Sequence, residues 1–333
     1  MAKATKDYRK KIVEKYGNVI TKGSEVLEQK RDFKTLSVSP SIDFALGGGI
    51  KEGSWVILSG DPKSGKTTTA LQIAANAQNE GRKVIYLDAE ARLKQMNLEG
   101  VEGLDTDRME VVSSESEPLS AEVFLDIIHK LIADKDNYGC VCIIDSTSSL
   151  IPEKELDGDM SPGRAGLPKL LSIFTKKMAQ IIPNQRAILI IITHLIANTS
   201  GYGVAKMPDC GNKIQFQSDT RLQVKRTSPW EESDKQVGQA VDWRVMWSSM
   251  GSPGAECQSW IRYGKGIDKL QELIIMGIEF GLISKAGSWF TCDFMADEVD
   301  DAKKVKFQGQ AKLHKYLDDN PEAVKKLKSQ III

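Results

Sequence analysis

Gly60-Asp61-Pro62-Lys63-Ser64-Gly65-Lys66-Thr67 is the stretch on which the reading of this chain turns, and it fits G-x-x-x-x-G-K-[ST] at every position. An apolar run, Trp55 to Leu58, precedes it, and a helical-looking stretch, Thr68 to Gln78, follows. That is the strand–loop–helix setting a phosphate-binding loop needs. Gly60 and Gly65 let the backbone wrap closely around a polyphosphate, with Asp61, Pro62, Lys63 and Ser64 as the body of the loop and Thr68 in the helix start that faces it. Lys66 reaches the β- and γ-phosphates, and the Thr67 hydroxyl coordinates Mg²⁺. The residues imply a nucleoside-triphosphate site.

Composition sets the frame around this loop. A chain of 333 residues, 41% hydrophobic and 27% charged, buries at least one large core with room for one or two small domains. No apolar stretch reaches 18 residues and no cleavable signal pattern opens the chain, so no membrane association is expected. Five cysteines without repeated ligand spacing fit a reducing cytoplasm, and Cys140 and Cys142, inside an apolar run, read as core thiols. Lysine plus arginine equals aspartate plus glutamate at 45 each, so a nucleic-acid partner would need a local basic patch, not a global field.

Tyr8, Ile12, Tyr16 and Ile20 recur at helical spacing opposite Arg9, Lys10, Lys11 and Lys15, and Gly17 can end that helix. Residues 1–33 therefore read as an appendage, a helix and linker. From about residue 34, β-type runs (54–59, 83–88, 141–145, 187–193 and 221–225) alternate with helical stretches (67–80, 120–134 and 167–182). Near-continuous aliphatic runs such as Ile188-Leu189-Ile190-Ile191-Ile192 predict strands covered on both faces, hence an α/β fold with a mostly parallel sheet. Thr227 to Gln239 reads as a flexible hairpin or loop. Residues 264–333 read as a small second domain ending in a Lys-rich helix, 321–330.

Three strand ends can complete the nucleotide site. Val141-Cys142-Ile143-Ile144 delivers Asp145 to the ligand edge of a parallel sheet, where it can join Thr67 in a Mg²⁺ shell or simply cap the next helix. Val84-Ile85-Tyr86-Leu87 ends in Asp88-Ala89-Glu90, and a Glu there can orient and deprotonate the attacking water, or stand as an exposed loop acid. After Ile190-Ile191-Ile192-Thr193, His194 can touch the γ-phosphate and report on it, or be an ordinary strand-end histidine.

In this order the residues resemble the RecA/RadA family of DNA strand-exchange recombinases from about residue 8 to 316. Ser39-Pro40-Ser41-Ile42-Asp43-Phe44-Ala45-Leu46-Gly47-Gly48-Gly49-Ile50 is similar to that family's lead-in segment, and Ile144-Asp145-Ser146 with Leu150-Ile151-Pro152 to its metal-binding strand. Tyr263-Gly264-Lys265-Gly266-Ile267, Glu272-Leu273, Gly281-Leu282-Ile283 and Gly287-Ser288-Trp289-Phe290 resemble the start of the bacterial C-terminal domain. The resemblance implies a RecA-type core over 34–263, ATP and Mg²⁺ as cofactors, Lys66, Glu90 and His194 as catalytic groups, and a helical homo-oligomer with ATP between subunits. It implies DNA-binding loops at 158–166 and 195–212, with Met160, Arg164, Gly166, Lys177, Tyr202, Lys206, Gly211 and Asn212 as contacts. Ile12, Tyr16, Phe216 and Arg244 fall at the implied subunit interface. Single-stranded DNA, a homologous duplex, a single-strand-binding protein and a loader are the implied partners, in a bacterial or phage-infected cytoplasm.

Departures matter equally. The family has Gln at the sensor position, whereas His194 looks like the UvsX-type phage recombinases. Asn97 and Lys94 stand where bacterial members contact adenine with a Tyr and an Asp. Trp247 and Ser249 stand where two lysines cross the interface, with Arg244 the nearest cation, and the tail carries Lys325, Lys326 and Lys328 instead of an acidic run. Two other readings share the motif: a ring helicase or translocase, against which the 263–290 series argues, and a non-catalytic ATP-binding mediator that coats DNA.

Overall fold

A computed structural model describes residues 2–114, 117–156, 166–198, 206–232, 234–298 and 305–331. The chain divides into two compact units, Met1–Lys34 and Thr35–Ile333. The first unit holds helix α1, Ala2–Tyr16, which stops at Gly17 in a left-handed conformation (φ 77°), as its sequence predicts. The expected linker contains a second helix, α2, Gly23–Arg31, none of whose residues is buried.

In the second unit a short ribbon of β1 (Thr35–Leu36) and β2 (Ile50–Lys51) flanks helix α3 (Pro40–Leu46) and leads into the main sheet. The sheet's strands are β3 (Trp55–Gly60), β4 (Val84–Asp88), β5 (Met109–Val112), β6 (Val141–Asp145), β7 (Ile188–Ala197), β8 (Lys206–Pro208), β9 (Thr220–Glu232), β10 (Lys235–Ser248), β11 (Glu256–Arg262) and β12 (Gly266–Ile267). Their spatial order is β12-β11-β10-β9-β3-β7-β6-β4-β5, with β8 paired to the end of β7. From β9 through β5 every pairing is parallel, and from β9 outward to β12 every pairing is antiparallel. Within the parallel half, β3, β4, β6 and β7 match the aliphatic runs. The antiparallel half has alternating burial, and its charged outward positions hid its length in the sequence. The polar stretch 227–239 is the tip of a long hairpin, with Glu232 opposite Lys235. Strand β5 was not anticipated, because a four-residue edge strand with one buried side chain, Met109, leaves no periodic signal.

Alternation along the strands builds two cores. Val56 and Leu58 of β3 face helix α4 (Lys66–Asn79) and α3, while Trp55 and Ile57 face helices α6 (Ala121–Ala133), α8 (Leu167–Asn184) and α9 (Gly211–Gln217). Ala70, Ala74 and Ala77 let α4 lie close against the sheet. The five residues Ile188 to Ile192 are buried to within 1% of complete coverage, and at about 1.5–3 kcal/mol per aliphatic side chain they anchor the centre of the sheet. Two short helices, α5 (Gln95–Leu98) and α7 (Glu153–Leu156), sit on the connections.

A third core belongs to the C-terminal segment. Helix α10 (Lys269–Glu279), an antiparallel sheet of β13 (Ile283–Ala286), β14 (Trp289–Cys292) and β15 (Lys306–Gln308), and helices α11 (Gln310–Asp319) and α12 (Pro321–Ile331) enclose Ile274, Ile283, Leu313 and Leu327. Asp268 caps α10 through the Gln271 N–H at 2.9 Å and pairs with Arg262 at 2.8 Å and His314 at 3.1 Å, tying this segment to β11. Glu272, wholly buried, accepts the Ser41 N–H at 2.9 Å and ties α10 to α3. Among the described residues no helix is long and apolar enough to cross a membrane.

Candidate nucleotide site and its link to the loop beyond His194

Parallel pairing brings the polar strand ends to one edge. Gly60 is the register partner of His194 across β3 and β7, and Asp88 is the partner of Asp145 across β4 and β6. The loop after β3 closes tightly. A Cβ on Gly60 would lie 2.9 Å from both Ser64 Oγ and Val224 Cβ, and one on Gly65, at φ 91°, would lie 2.5 Å from Ile261 Cδ1. Both positions therefore exclude any larger residue. Lys66 is buried and turns its Nζ back onto the carbonyls of Gly60 (3.0 Å) and Asp61 (2.8 Å), and burial lowers its pKa. Ser64 Oγ is buried without a hydrogen-bond partner. Two tight glycines, an orphaned hydroxyl and a folded-back ammonium at the start of α4 fit a polyphosphate, whose oxygens would satisfy all of them.

Thr67 Oγ1 donates to Asp145 Oδ2 at 2.8 Å, and the Tyr86 hydroxyl donates to the same oxygen at 2.7 Å. Burial raises the Asp145 pKa against these two bonds, and the charges of Glu90 and Asp88 add to the rise. The peptide between Asp145 and Ser146 is cis. Hard oxygen donors from Thr67 and Asp145 beside the phosphate loop fit Mg²⁺.

Glu90 lies on the turn after β4, which Asp88 holds by accepting the N–H groups of Arg92 (3.1 Å) and Leu93 (3.0 Å). Its Oε1 accepts the Ser146 hydroxyl at 2.6 Å and lies 3.0 Å from His194 Nε2, while its Oε2 faces Arg92 Nη1 at 3.4 Å. Burial pushes the Glu90 pKa up, but the bonds from Ser146 and His194 outweigh it, and the carboxyl titrates below its ordinary range. Glu90, Arg92, Ser148, Ser149, His194, Ile196 and Asp209 line a cavity of about 400 Å³.

Beyond His194, β7 continues to Ala197 and β8 returns antiparallel beside it, with the Asp209 N–H on the His194 carbonyl at 2.9 Å. Lys206 Nζ reaches Asp61 Oδ1 at 2.7 Å and Oδ2 at 3.0 Å, so the exit of this loop touches the phosphate loop. Gly211, in a left-handed conformation with open space around it, and exposed Asn212 begin α9. Gly166 precedes α8, and Lys177 lies exposed on that helix, roughly 16 Å further along at 1.5 Å per residue. Met160, Arg164 and Tyr202 lie outside the described residues. Phe216 is 85% exposed, Tyr16 61% and Ile12 37%, and Arg244 is exposed with its Nε 3.9 Å from Glu256. Asn97 spends its amide oxygen on the Lys94 N–H at 3.0 Å.

Sequence reading missed Tyr86, Ser146 and Arg92. One phenol in an otherwise aliphatic buried strand was the available signal for Tyr86. The other two gave none, because their role depends on Glu90 folding over them.

Fold and site together define a phosphate-loop nucleotide-binding protein of the α/β class. Residues 3–268 match the RecA N-terminal domain, and residues 271–332 match the RecA C-terminal domain. The chain is 30% identical to Protein RecA of a Nitratiruptor species over 95% of its own length and 88% of the relative's. It is 31% identical to Protein RecA of a Nocardioides species over 95% and 86%, and 30% identical to that of Colwellia psychrerythraea over 90% and 84%. The chain belongs to the RecA family of ATP-dependent DNA recombinases. That membership does not favour the ring-helicase and mediator readings.

Proposed function

We propose that this chain hydrolyses ATP when bound to single-stranded DNA, that it does so as a helical homo-oligomer, and that it pairs the coated strand with a homologous duplex. The observation that supports this most is the contact of His194 with Glu90 immediately before the loop 195–212. One side chain thereby belongs to both the hydrolytic group and the loop assigned to DNA.

Lys66 would exchange the two carbonyls for phosphate oxygens, and the amides of the Gly60–Thr67 loop would hold the rest of the polyphosphate. Thr67 and Asp145 would hold Mg²⁺, which when bound offsets phosphate charge. Ser146 holds Glu90 Oε1, and Oε2, beside the exposed Arg92, would be the oxygen able to take a proton from water. When His194 leaves Glu90 for a phosphate oxygen, the loop it starts moves with it. Coupling of this kind is reciprocal, so DNA on the loop tightens ATP binding to the same degree that ATP tightens DNA binding.

The domain roles follow: residues 1–33 would bridge subunits, 34–263 would carry ATP and DNA, and 264–333 would form the small C-terminal domain. Ile12, Tyr16, Phe216 and Arg244 would lie at the interface. Single-strand-binding and loading proteins are the natural accessory partners, and a cytoplasmic setting suits five cysteines without disulfides among the described residues.

The test measures ATP hydrolysis with and without single-stranded DNA, alongside conversion of a homologous duplex to joint molecules. ATP-dependent joint molecules support the proposal. DNA-stimulated hydrolysis with unwinding and no pairing would replace it with a translocase, and binding with neither activity would replace it with a mediator.

A further inference from the structure

Tyr86 is buried to 1% exposure in β4, among aliphatic side chains. A phenol in such a place needs a hydrogen-bond acceptor, and its hydroxyl takes Asp145 Oδ2 at 2.7 Å. Thr67 Oγ1 takes the same oxygen at 2.8 Å, and among the described residues no donor takes Oδ1. The two donors approach from different elements, Thr67 from the first turn of α4 and Tyr86 from the neighbouring strand β4. With both on one oxygen, rotation of the carboxylate about its Cβ–Cγ bond breaks two bonds instead of one. Oδ1 is left as the oxygen presented to a cation.

We propose that Tyr86 is a positioning residue that commits Asp145 to one orientation and thereby sets the affinity of the site for a divalent cation. This rests on the assignment of Asp145 and Thr67 as the cation's protein ligands. Tyr86 makes no contact with nucleotide in this account and acts only through Asp145. Hydrogen bonds to a ligating carboxylate of this kind typically change metal affinity by about 10–100-fold.

Tyr86→Phe removes one oxygen and keeps the ring that packs in β4. Binding of a fluorescent ATP analogue is titrated with Mg²⁺ for the original chain, Tyr86→Phe and Asp145→Asn. Analogue binding in EDTA and urea unfolding without nucleotide are measured on all three. The expected result is a rise of about tenfold in the Mg²⁺ concentration for half-maximal binding in Tyr86→Phe, with binding in EDTA unchanged, and a rise in Asp145→Asn as well. An unchanged Mg²⁺ requirement in Tyr86→Phe beside a raised one in Asp145→Asn overturns the role of Tyr86 alone. An unchanged requirement in both variants overturns the cation site together with the role of Tyr86. A loss in Tyr86→Phe that is equal with EDTA and with Mg²⁺ assigns Tyr86 to packing and also overturns the proposal.

Discussion

His194 Nε2 and Glu90 Oε1 lie 3.0 Å apart, although 104 residues separate them in the chain. The contact joins β7 to the turn after β4, and Ser146, also on Oε1, holds the carboxylate at the crossing. His194→Ala removes one of the bonds that lower the Glu90 pKa, so the carboxyl titrates at higher pH. In the proposed role of Glu90 as proton acceptor, hydrolysis needs its carboxylate ionised. The acid limb of the kcat/KM profile, which reports the ATP-free protein in which His194 still holds Glu90, should therefore shift to higher pH in His194→Ala, and stimulation by DNA should fall. A profile superimposable on that of the original chain would remove His194 from the site.

Glu90→Gln keeps the side chain's size and its bond with Ser146 but abolishes a proton acceptor. Turnover should fall by about 10²–10⁴-fold, while the affinity for ATP stays within a factor of a few and DNA complexes persist longer. Steady-state hydrolysis alongside the lifetime of labelled single-stranded DNA complexes checks both halves.

Lys66→Ala leaves the loop backbone in place, since its shape depends on Gly60 and Gly65. It removes the ammonium that lies on the Gly60 and Asp61 carbonyls. ATP-dependent filaments should disappear from electron micrographs while the variant remains folded by circular dichroism. Filaments of undiminished length would contradict the role given to this lysine.

Lys206 and Asp61 form an exposed pair, with side-chain exposures of 54% and 61%, so neither is held strongly by the other. Lys206→Ala should change unfolding free energy by less than about 1 kcal/mol. If Lys206 exchanges Asp61 for a DNA phosphate, the same variant lowers the slope of log K against log salt for single-stranded DNA by about 0.7. An unaltered slope would leave Lys206 as a partner of the phosphate loop and nothing more.

Glu272 is buried between α10 and α3, and burial pushes its pKa up to about 7, against the bond from the Ser41 N–H. Its folded pKa exceeds the ordinary 4.5, so the folded state holds the proton more tightly. Stability is then greatest in acid on this account and declines as pH rises from about 4.5 to about 7. Glu272→Gln should flatten that decline in urea-unfolding curves collected across the range. A decline of equal steepness in the variant would place its origin elsewhere, with Asp43 and Asp145 the other carboxyls whose pKa burial raises.

The phosphate loop was legible from local sequence, because Gly60, Gly65, Lys66 and Thr67 act through local backbone and need only the right spacing. Strands β3, β4, β6 and β7 were legible as well, with the acids that end β4 and β6, since a strand buried on both faces is nearly all apolar and its first polar residue marks the edge; the exposed edge strand β5 was not. The antiparallel half of the sheet was less legible, because β9 and β10 alternate buried and charged residues and read as a hairpin tip only near Glu232 and Lys235. Tertiary structure alone decided which polar groups meet. Tyr86 with Asp145, Ser146 and His194 with Glu90, and Lys206 with Asp61 are contacts between distant segments. Register and side-chain direction set them, and neither is encoded in any local pattern. A strand's residues alternate faces whatever the neighbouring strand brings, so only the assembled sheet could place a phenol against the carboxylate beside Thr67.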